Sequence, residues 1–317
     1  MELGLIRSVD SEASYPHVLP LELIHEVFLH ACVGDAPFAA SLSLVCKTAH
    51  EWLQPVLYRS VVLTSSRQII AFERTLRLSP PSASLDSAVQ HLWLGPKSSH
   101  AERDLSYAST AWPITLLHQI LARCSSLTSV ALVNLAQHLM YRIAGVVPLR
   151  VTSIHVGPVH GHLDTRHLRC TQALRCVTSM DTYLSDWEVQ QLASTPFLRR
   201  LRRFYSTRTA IEYAFDQLAA VRGASGLEQM EILCCTGAKD IEGTLEILRG
   251  MAKGKEGSDD QRVIISARSS CDGDRLADGI RAFYDDWVNS LGDDTPSCVA
   301  AGMYRSISCK TAVATED

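Results

Sequence analysis

Ile120-Leu121-Ala122-Arg123-Cys124-Ser125-Ser126-Leu127-Thr128-Ser129-Val130-Ala131-Leu132 is the stretch that decides the fold. A helical run closes at Arg123 and Cys124, two serines turn the chain, and Leu127, Val130 and Leu132 follow at apolar-x-x-apolar-x-apolar spacing. Side chains on a strand alternate, so Val130 and Leu132 point one way and Ser129 and Ala131 the other. The stretch therefore predicts a helix, a turn and a short strand with one apolar side. Such a unit is stable only when neighbours cover that side.

The spacing recurs to either side. Val89, Leu92 and Leu94 fit it, as do Val151, Ile154 and Val156, and Leu227, Met230 and Ile232. Weaker copies stand at Leu174, Val177 and Ser179 and at Leu198, Leu201 and Arg203, and Val263-Ile264-Ile265 predicts a further strand. The central residues Val130, Ile154, Val177 and Leu201 are 24, 23 and 24 apart, with longer intervals on both flanks. Between the strands, apolar periodicity predicts helices over 114–122, 187–193, 210–221 (stopped by Gly223), 241–248 and 276–291. Composition predicts a surface loop over 250–260. Alternating strand and helix give an α/β fold. The repeat, best carried by residues 120–132, resembles an irregular leucine-rich repeat, which implies an α/β solenoid. An ordinary open α/β sheet is the alternative. The units are short for full βαβ crossovers and no glycine-rich phosphate loop follows a strand, which favours the solenoid.

Upstream lies HVLPLELIHEVFLHACVGDAPFAASLSLVCKTAHEWLQPVLYRS, residues 17–60. Two helical patterns are expected in it. Pro20 suits a first helical turn, and Leu23, Val27 and Ala31, flanked by Ile24 and Phe28, recur along one side. Gly34 and Asp35 end that pattern, Pro37 opens the next, and Ala40, Leu44 and Val45 carry a second apolar face ahead of Trp52, Pro55 and Leu57. Tyr58 to Leu63 then reads as a strand, and Ile69, Phe72 and Leu76 as a helix followed by a loop over 79–84.

Three sub-motifs of this stretch, in order, are Leu19-Pro20-x-Glu22-Leu23-Ile24-x-x-Val27-Phe28, Ser43-Leu44-Val45-Cys46-Lys47 and Trp52-Leu53-x-Pro55-x-Leu57-Tyr58-Arg59-Ser60. Together they resemble an F-box, in the form common in fungal F-box-like proteins. The resemblance implies a small helical module that docks on the Skp1 adaptor of a cullin-RING ubiquitin ligase, with Leu19, Pro20, Leu23, Ile24, Val27, Phe28, Leu44, Val45 and Trp52 as the Skp1-binding residues. One position departs from the family pattern: Ala49 stands where a Trp is usual, and Trp52 comes three residues later. The expected organisation is a tail over 1–16, the F-box-like module over 17–60, a leucine-rich-repeat-like domain over 61–292 and a tail over 293–317, within which 303–309 could pair as an end strand.

Bulk properties narrow the classes. A formal charge of −4 lacks the basic excess expected of a nucleic-acid binder. Ten cysteines in 317 residues are too dilute for a disulfide scaffold and fall within apolar runs such as Leu44-Val45-Cys46 and Ile232-Leu233-Cys234-Cys235, so buried thiols in a reducing compartment are expected. No leader-like apolar core precedes residue 16, and no run approaches the roughly 20 apolar residues a membrane span needs. The expectation is a cytoplasmic or nuclear protein, with no membrane and no nucleic-acid partner.

Candidate chemistry is sparse. His155, His160, His162 and His167 with Cys170 and Cys176 lack paired metal-ligand spacing. Asp272, Asp274 and Asp278 put Leu276 where a calcium loop needs a ligand, and neither a Gly-x-Ser-x-Gly elbow nor a Walker loop is found. Cys234 and Cys235 should point to opposite sides of a strand, one in the core and one on the flank. No catalytic residue, metal or cofactor is expected. Binding fits better, because the residues between the inward apolar positions would form an exposed face: His91 and Trp93, Ser129 and Ala131, Ser153 and His155, Arg200 and Arg202, Gln229 and Glu231. His91, Trp93, His155, Arg200, Arg202 and Glu231 are the expected client-binding residues, with Trp93 and the arginines as anchors. The group Arg199, Arg200, Arg202 and Arg203 could hold an acidic segment through bidentate bonds, or form a solvated basic strand edge. The function implied is a non-enzymatic adaptor that docks on Skp1 and holds a client protein. The alternative is a repeat scaffold whose N-terminal helices only cap the solenoid.

Overall fold

The computed structural model describes residues 19–32, 35–79, 85–99, 103–107, 109–158, 167–208, 211–237, 240–269 and 278–292. The expected tails over 1–16 and 293–317, with the end strand at 303–309, lie outside the described residues. The chain divides into two compact units, Met1–Val56 and Leu57–Asp317.

In the first unit three helices form where two patterns were expected: α1 (Leu21–Cys32), α2 (Ala36–Leu42) and α3 (Lys47–Arg59). The Asp35 carboxylate caps α2, accepting from the Phe38 N–H at 2.9 Å, and Pro37 stands in its first turn. The second pattern splits because the amides of Leu44 and Val45 turn back on the carbonyls of Ser41 and Leu42, at 3.2 and 3.1 Å. Cys46 is exposed, contrary to the buried thiol expected, and its sulfur accepts the Ala49 N–H at 3.4 Å at the start of α3. Cys32, Ala39, Ala49 and Leu53 are buried. Small residues at Ala39 and Ala49 are what close helix packing requires.

The second unit is an α/β structure on one eight-stranded parallel sheet whose order follows the chain. Its strands are β1 (Ser60–Leu63), β2 (His91–Leu94), β3 (Ser129–Val133), β4 (Ser153–Gly157), β5 (Cys176–Met180), β6 (Arg200–Tyr205), β7 (Gln229–Thr236) and β8 (Val263–Ser269). One row of register partners crosses the sheet: Val61, Leu92, Val130, Ile154, Val177, Leu201, Met230 and Val263. The periodic residues of the sequence are thus literal neighbours. A repeated junction sets this register. The carbonyls of Gln90, Thr128, Thr152, Arg175 and Arg199 each accept two consecutive amides of the next strand entry, as when Gln90 receives Thr128 and Ser129 at 2.8 and 3.1 Å.

The remaining helices are α4 (Ser66–Leu78), α5 (Leu85–Ala88), α6 (Ile114–Arg123), α7 (Gln137–Ala144), α8 (Asp186–Ala193), α9 (Glu212–Asp216), α10 (Ile241–Ala252) and α11 (Gly279–Gly292). The sequence pattern did not predict α5, a single turn too short to show a period, or α7. The helix expected over 210–221 breaks into α9 and a 3₁₀ turn at Leu218–Val221. At the break, the Gln217 amide donates to the Leu184 carbonyl and the Asp186 carboxylate at 2.7 and 2.8 Å. Helix α10 takes in Gly250 to Ala252, the first part of the expected loop. No helix among the described residues is long and apolar enough to cross a membrane.

Two apolar clusters flank the sheet. One joins the register row to residues of α4, α6 and α8, among them Ile69, Phe72, Leu117, Ile120, Val189 and Leu192. On the other side, Trp93, Ala131, Val133, Met180, Phe204, Leu233 and Cys235 pack with Ala282, Phe283 and Trp287 of α11. Cys234 and Cys235 do point to opposite sides, but both are buried because both sides are covered. Near the start of α11, Asp278 accepts from the Ser99 amide and hydroxyl, beyond the end of β2. Further along, Trp287 donates its indole N–H to the hydroxyl of Ser129, the first residue of β3, at 3.0 Å. Helix α11 therefore runs across the face against the strand direction.

Candidate protein-docking sites

Helix α1 and the α2–α3 turn place an aliphatic set in solvent. Leu19, Leu23 and Val27 are more than half exposed, Val45 is 67 % exposed and Leu44 84 %. Pro20 is exposed too, whereas Ile24, Phe28 and Trp52 are half-buried. The Trp52 ring lies 4.9 Å from His25 and 6.1 Å, edge-on, from Phe28, so these three aromatics hold α3 to α1. Exposed Leu21 and Phe38 extend the apolar set and were missed by the sequence reading, since neither continues the α1 period. A small unit with this many exposed large apolar side chains carries the mark of an interaction surface.

The second site is the sheet face that the sequence expects to be open. Its residues are brought together as expected: Trp93, Ala131, His155, Thr178, Arg202 and Glu231 follow one another in register. The expected exposure is wrong, however. Trp93, His91, His155 and Glu231 are buried and Arg202 nearly so, and α11 lies across Trp93, His155 and Arg202; Arg200, at the strand entry, stays exposed. Trp93 packs against Phe283, Tyr284 and Trp287 in tilted and edge-on arrangements, with ring centroids 5.0–5.9 Å apart.

The polar part of this face centres on Arg202. Its guanidinium donates to both oxygens of Asp286 on α11, at 2.6 and 3.0 Å, and to Glu231 at 2.6 Å. Arg268 adds a bond to Asp286 at 2.5 Å, and Ser266 donates to Glu231 at 2.7 Å. Burial works against the charge of Arg202, but hydrogen bonds and charge from Asp286 and Glu231 outweigh it and raise its pKa. For Asp286 burial pushes upward, and Arg202 and Arg268 together hold the carboxyl below its usual range. For Arg202 the acidic partners are thus supplied by the chain itself.

His155 sits beside this pair with its ring 5.6 Å from Phe283, and neither ring nitrogen has a hydrogen-bond partner among the described residues. Burial, with Asp286 opposing and Arg202 assisting, lowers its pKa to about 4, so it is neutral at pH 7. Among the described residues, no group of three or more His, Cys, Asp or Glu is placed to hold a metal ion. No protein-family model matches the chain, and no curated protein sequence matches it.

Proposed function

We propose that the protein is an F-box-like adaptor that docks on Skp1 through its first unit and presents a client to a cullin-RING ubiquitin ligase from a leucine-rich-repeat-like solenoid. The exposure of Leu19, Leu23, Val27, Leu44 and Val45 carries this reading. These are five of the six aliphatic positions the F-box resemblance assigns to Skp1, and among the described residues they are left exposed. The sequential strand order, with its repeated junction at the strand entries, supports the solenoid half. An adaptor needs no catalytic group of its own. It acts by turning a bimolecular encounter between client and charged conjugating enzyme into a local one. Action in the cytoplasm or nucleus belongs to the same reading.

The test is co-purification of the full chain with a fungal Skp1, beside a Leu19→Asp/Val27→Asp/Leu44→Asp variant. All three positions are exposed, so the variant is expected to keep the parent's melting curve while losing at least 100-fold in Skp1 affinity. Phe28 is left intact because it packs on Trp52. Absence of Skp1 binding by the folded parent refutes the ligase role. The second reading, a scaffold outside any ligase, is favoured by Ala49, which is buried within the module where the family has a Trp.

A further inference from the structure

Both faces of the sheet are largely apolar, and the α11 face differs in one row, which turns polar from β4 to β7. Toward the helical layer, β2 to β7 present Leu92, Val130, Ile154, Val177, Leu201 and Met230. Toward α11 the adjoining row is Trp93, Ala131, His155, Thr178, Arg202 and Glu231. A parallel sheet with permanent cover on both faces reads as apolar runs on both. A buried ionic set is poorer than apolar packing where cover is permanent, and polar character is ordinary where two surfaces must separate.

The fit of α11 is also incomplete. Both nitrogens of His155, a residue only 1 % exposed, meet no partner beneath Phe283. What α11 does satisfy is specific: an aromatic ring at 283 against Trp93 and Phe204, a carboxylate at 286 between Arg202 and Arg268, and an indole at 287 bonded to Ser129. These positions share one helical face at i, i+3 and i+4.

We propose that this sheet face is a receptor for an amphipathic helix of a partner protein, and that α11 occupies it in cis. The partner helix carries an aromatic, a carboxylate three residues on and a second aromatic next to it, in place of Phe283, Asp286 and Trp287. Its carboxylate is selected by Arg202 and Arg268. This inference deepens the client half of the proposed function by naming the client's chemistry, and it rests on that reading only in taking this face as the client site.

The probe is a fluorescein-labelled peptide of residues 278–292, titrated into the full chain and into a full-chain Phe283→Asp/Trp287→Asp variant whose own α11 no longer fits. The variant is expected to bind the peptide at least 10-fold more tightly than the parent, whose site is filled intramolecularly. An Asp286→Arg peptide should show no binding. Hydrogen exchange on the unmodified chain is the second measurement, and it stands even if the variant does not fold. Amides of α11 are expected to exchange at least 100-fold faster than those of β4 to β6, through a local opening. Equal protection of α11 and the central strands, or a folded variant that ignores the peptide, overturns the proposal. No Skp1 is present in either experiment, so their failure leaves the docking test untouched, and a failed docking test leaves them untouched.

Discussion

Arg200, Arg202 and Arg203 lie within four residues and meet three different environments. Arg200 stands exposed at the strand entry, Arg202 is paired beneath α11, and Arg203 is buried on the helical side. There Arg203 donates to the Gln217 side chain and lies over the Tyr205 ring, and its burial lowers its pKa. Alternation alone assigns the sides. His155 shares the side of Arg202 but gains nothing from it, since both of its nitrogens are orphaned. A buried polar group without a partner costs about 1–3 kcal/mol, and an apolar replacement of similar shape removes that cost. His155→Leu is therefore expected to stabilise the chain by about 1 kcal/mol at pH 7, read as a raised urea midpoint at unchanged slope. A loss of stability would mean that the imidazole is solvated. The identity of this residue was legible in the sequence and its burial was not, because the helix that buries it lies more than a hundred residues downstream.

At the scale of elements, the strands were legible because each carries its inward residues at a fixed local spacing, and the register row joins the very residues that spacing selects. Helices α4, α6 and α8 were legible for the same reason. Helix α9 was legible within the expected 210–221 helix, but its break was not, since that depends on where the Gln217 side chain finds partners at Leu184 and at the start of α8. The covering of the face by α11 was hidden for a related reason: an amphipathic period tells that a helix has a buried side, not which surface it meets. One constraint between strands yields a sharp test. Gly95, just past β2, has φ +127°, and a Cβ there would stand 2.4 Å from the Val133 carbonyl oxygen of β3. That atom belongs to the backbone of a paired strand and cannot step aside. Gly95→Ala is expected to cost about 2–4 kcal/mol from strained φ and overpacking combined, measured by urea unfolding. Gly145→Ala, which meets nothing within 4 Å, should stay within about 1 kcal/mol of the parent.

For the molecule as a whole, the polar face beneath α11 couples stability to acidity. His155 is buried there and His91 is buried at the entry of β2, and burial, with Arg59 assisting at His91 and Asp286 opposing at His155, lowers each pKa from 6.5 to about 4. Between pH 6.5 and 4 the unfolded chain binds protons at these two sites that the folded chain refuses. Stability therefore rises with pH through that window and is lost as pH falls through it. Each histidine costs the folded chain about 3–4 kcal/mol once the pH lies below 4, since its pKa falls from 6.5 to about 4 at about 1.4 kcal/mol per pH unit. Asp286 acts in the same direction lower down, because a carboxyl held below its usual range stabilises the fold until acid protonates it. The groups facing His155 are Asp286 of α11 and Arg202 of β6, and that facing His91 is Arg59. Urea midpoints measured from pH 7.5 to 4.5 should be level above pH 7 and fall steadily below 6.5. A His91→Gln/His155→Leu variant should show a much shallower fall over the same interval. A flat profile in the parent would show that these rings titrate in water, and with that the seating of α11 on the sheet would fail. The same acid window should loosen α11 ahead of the strands, since His155 lies at its contact with the sheet and the apolar register row carries no titrating group.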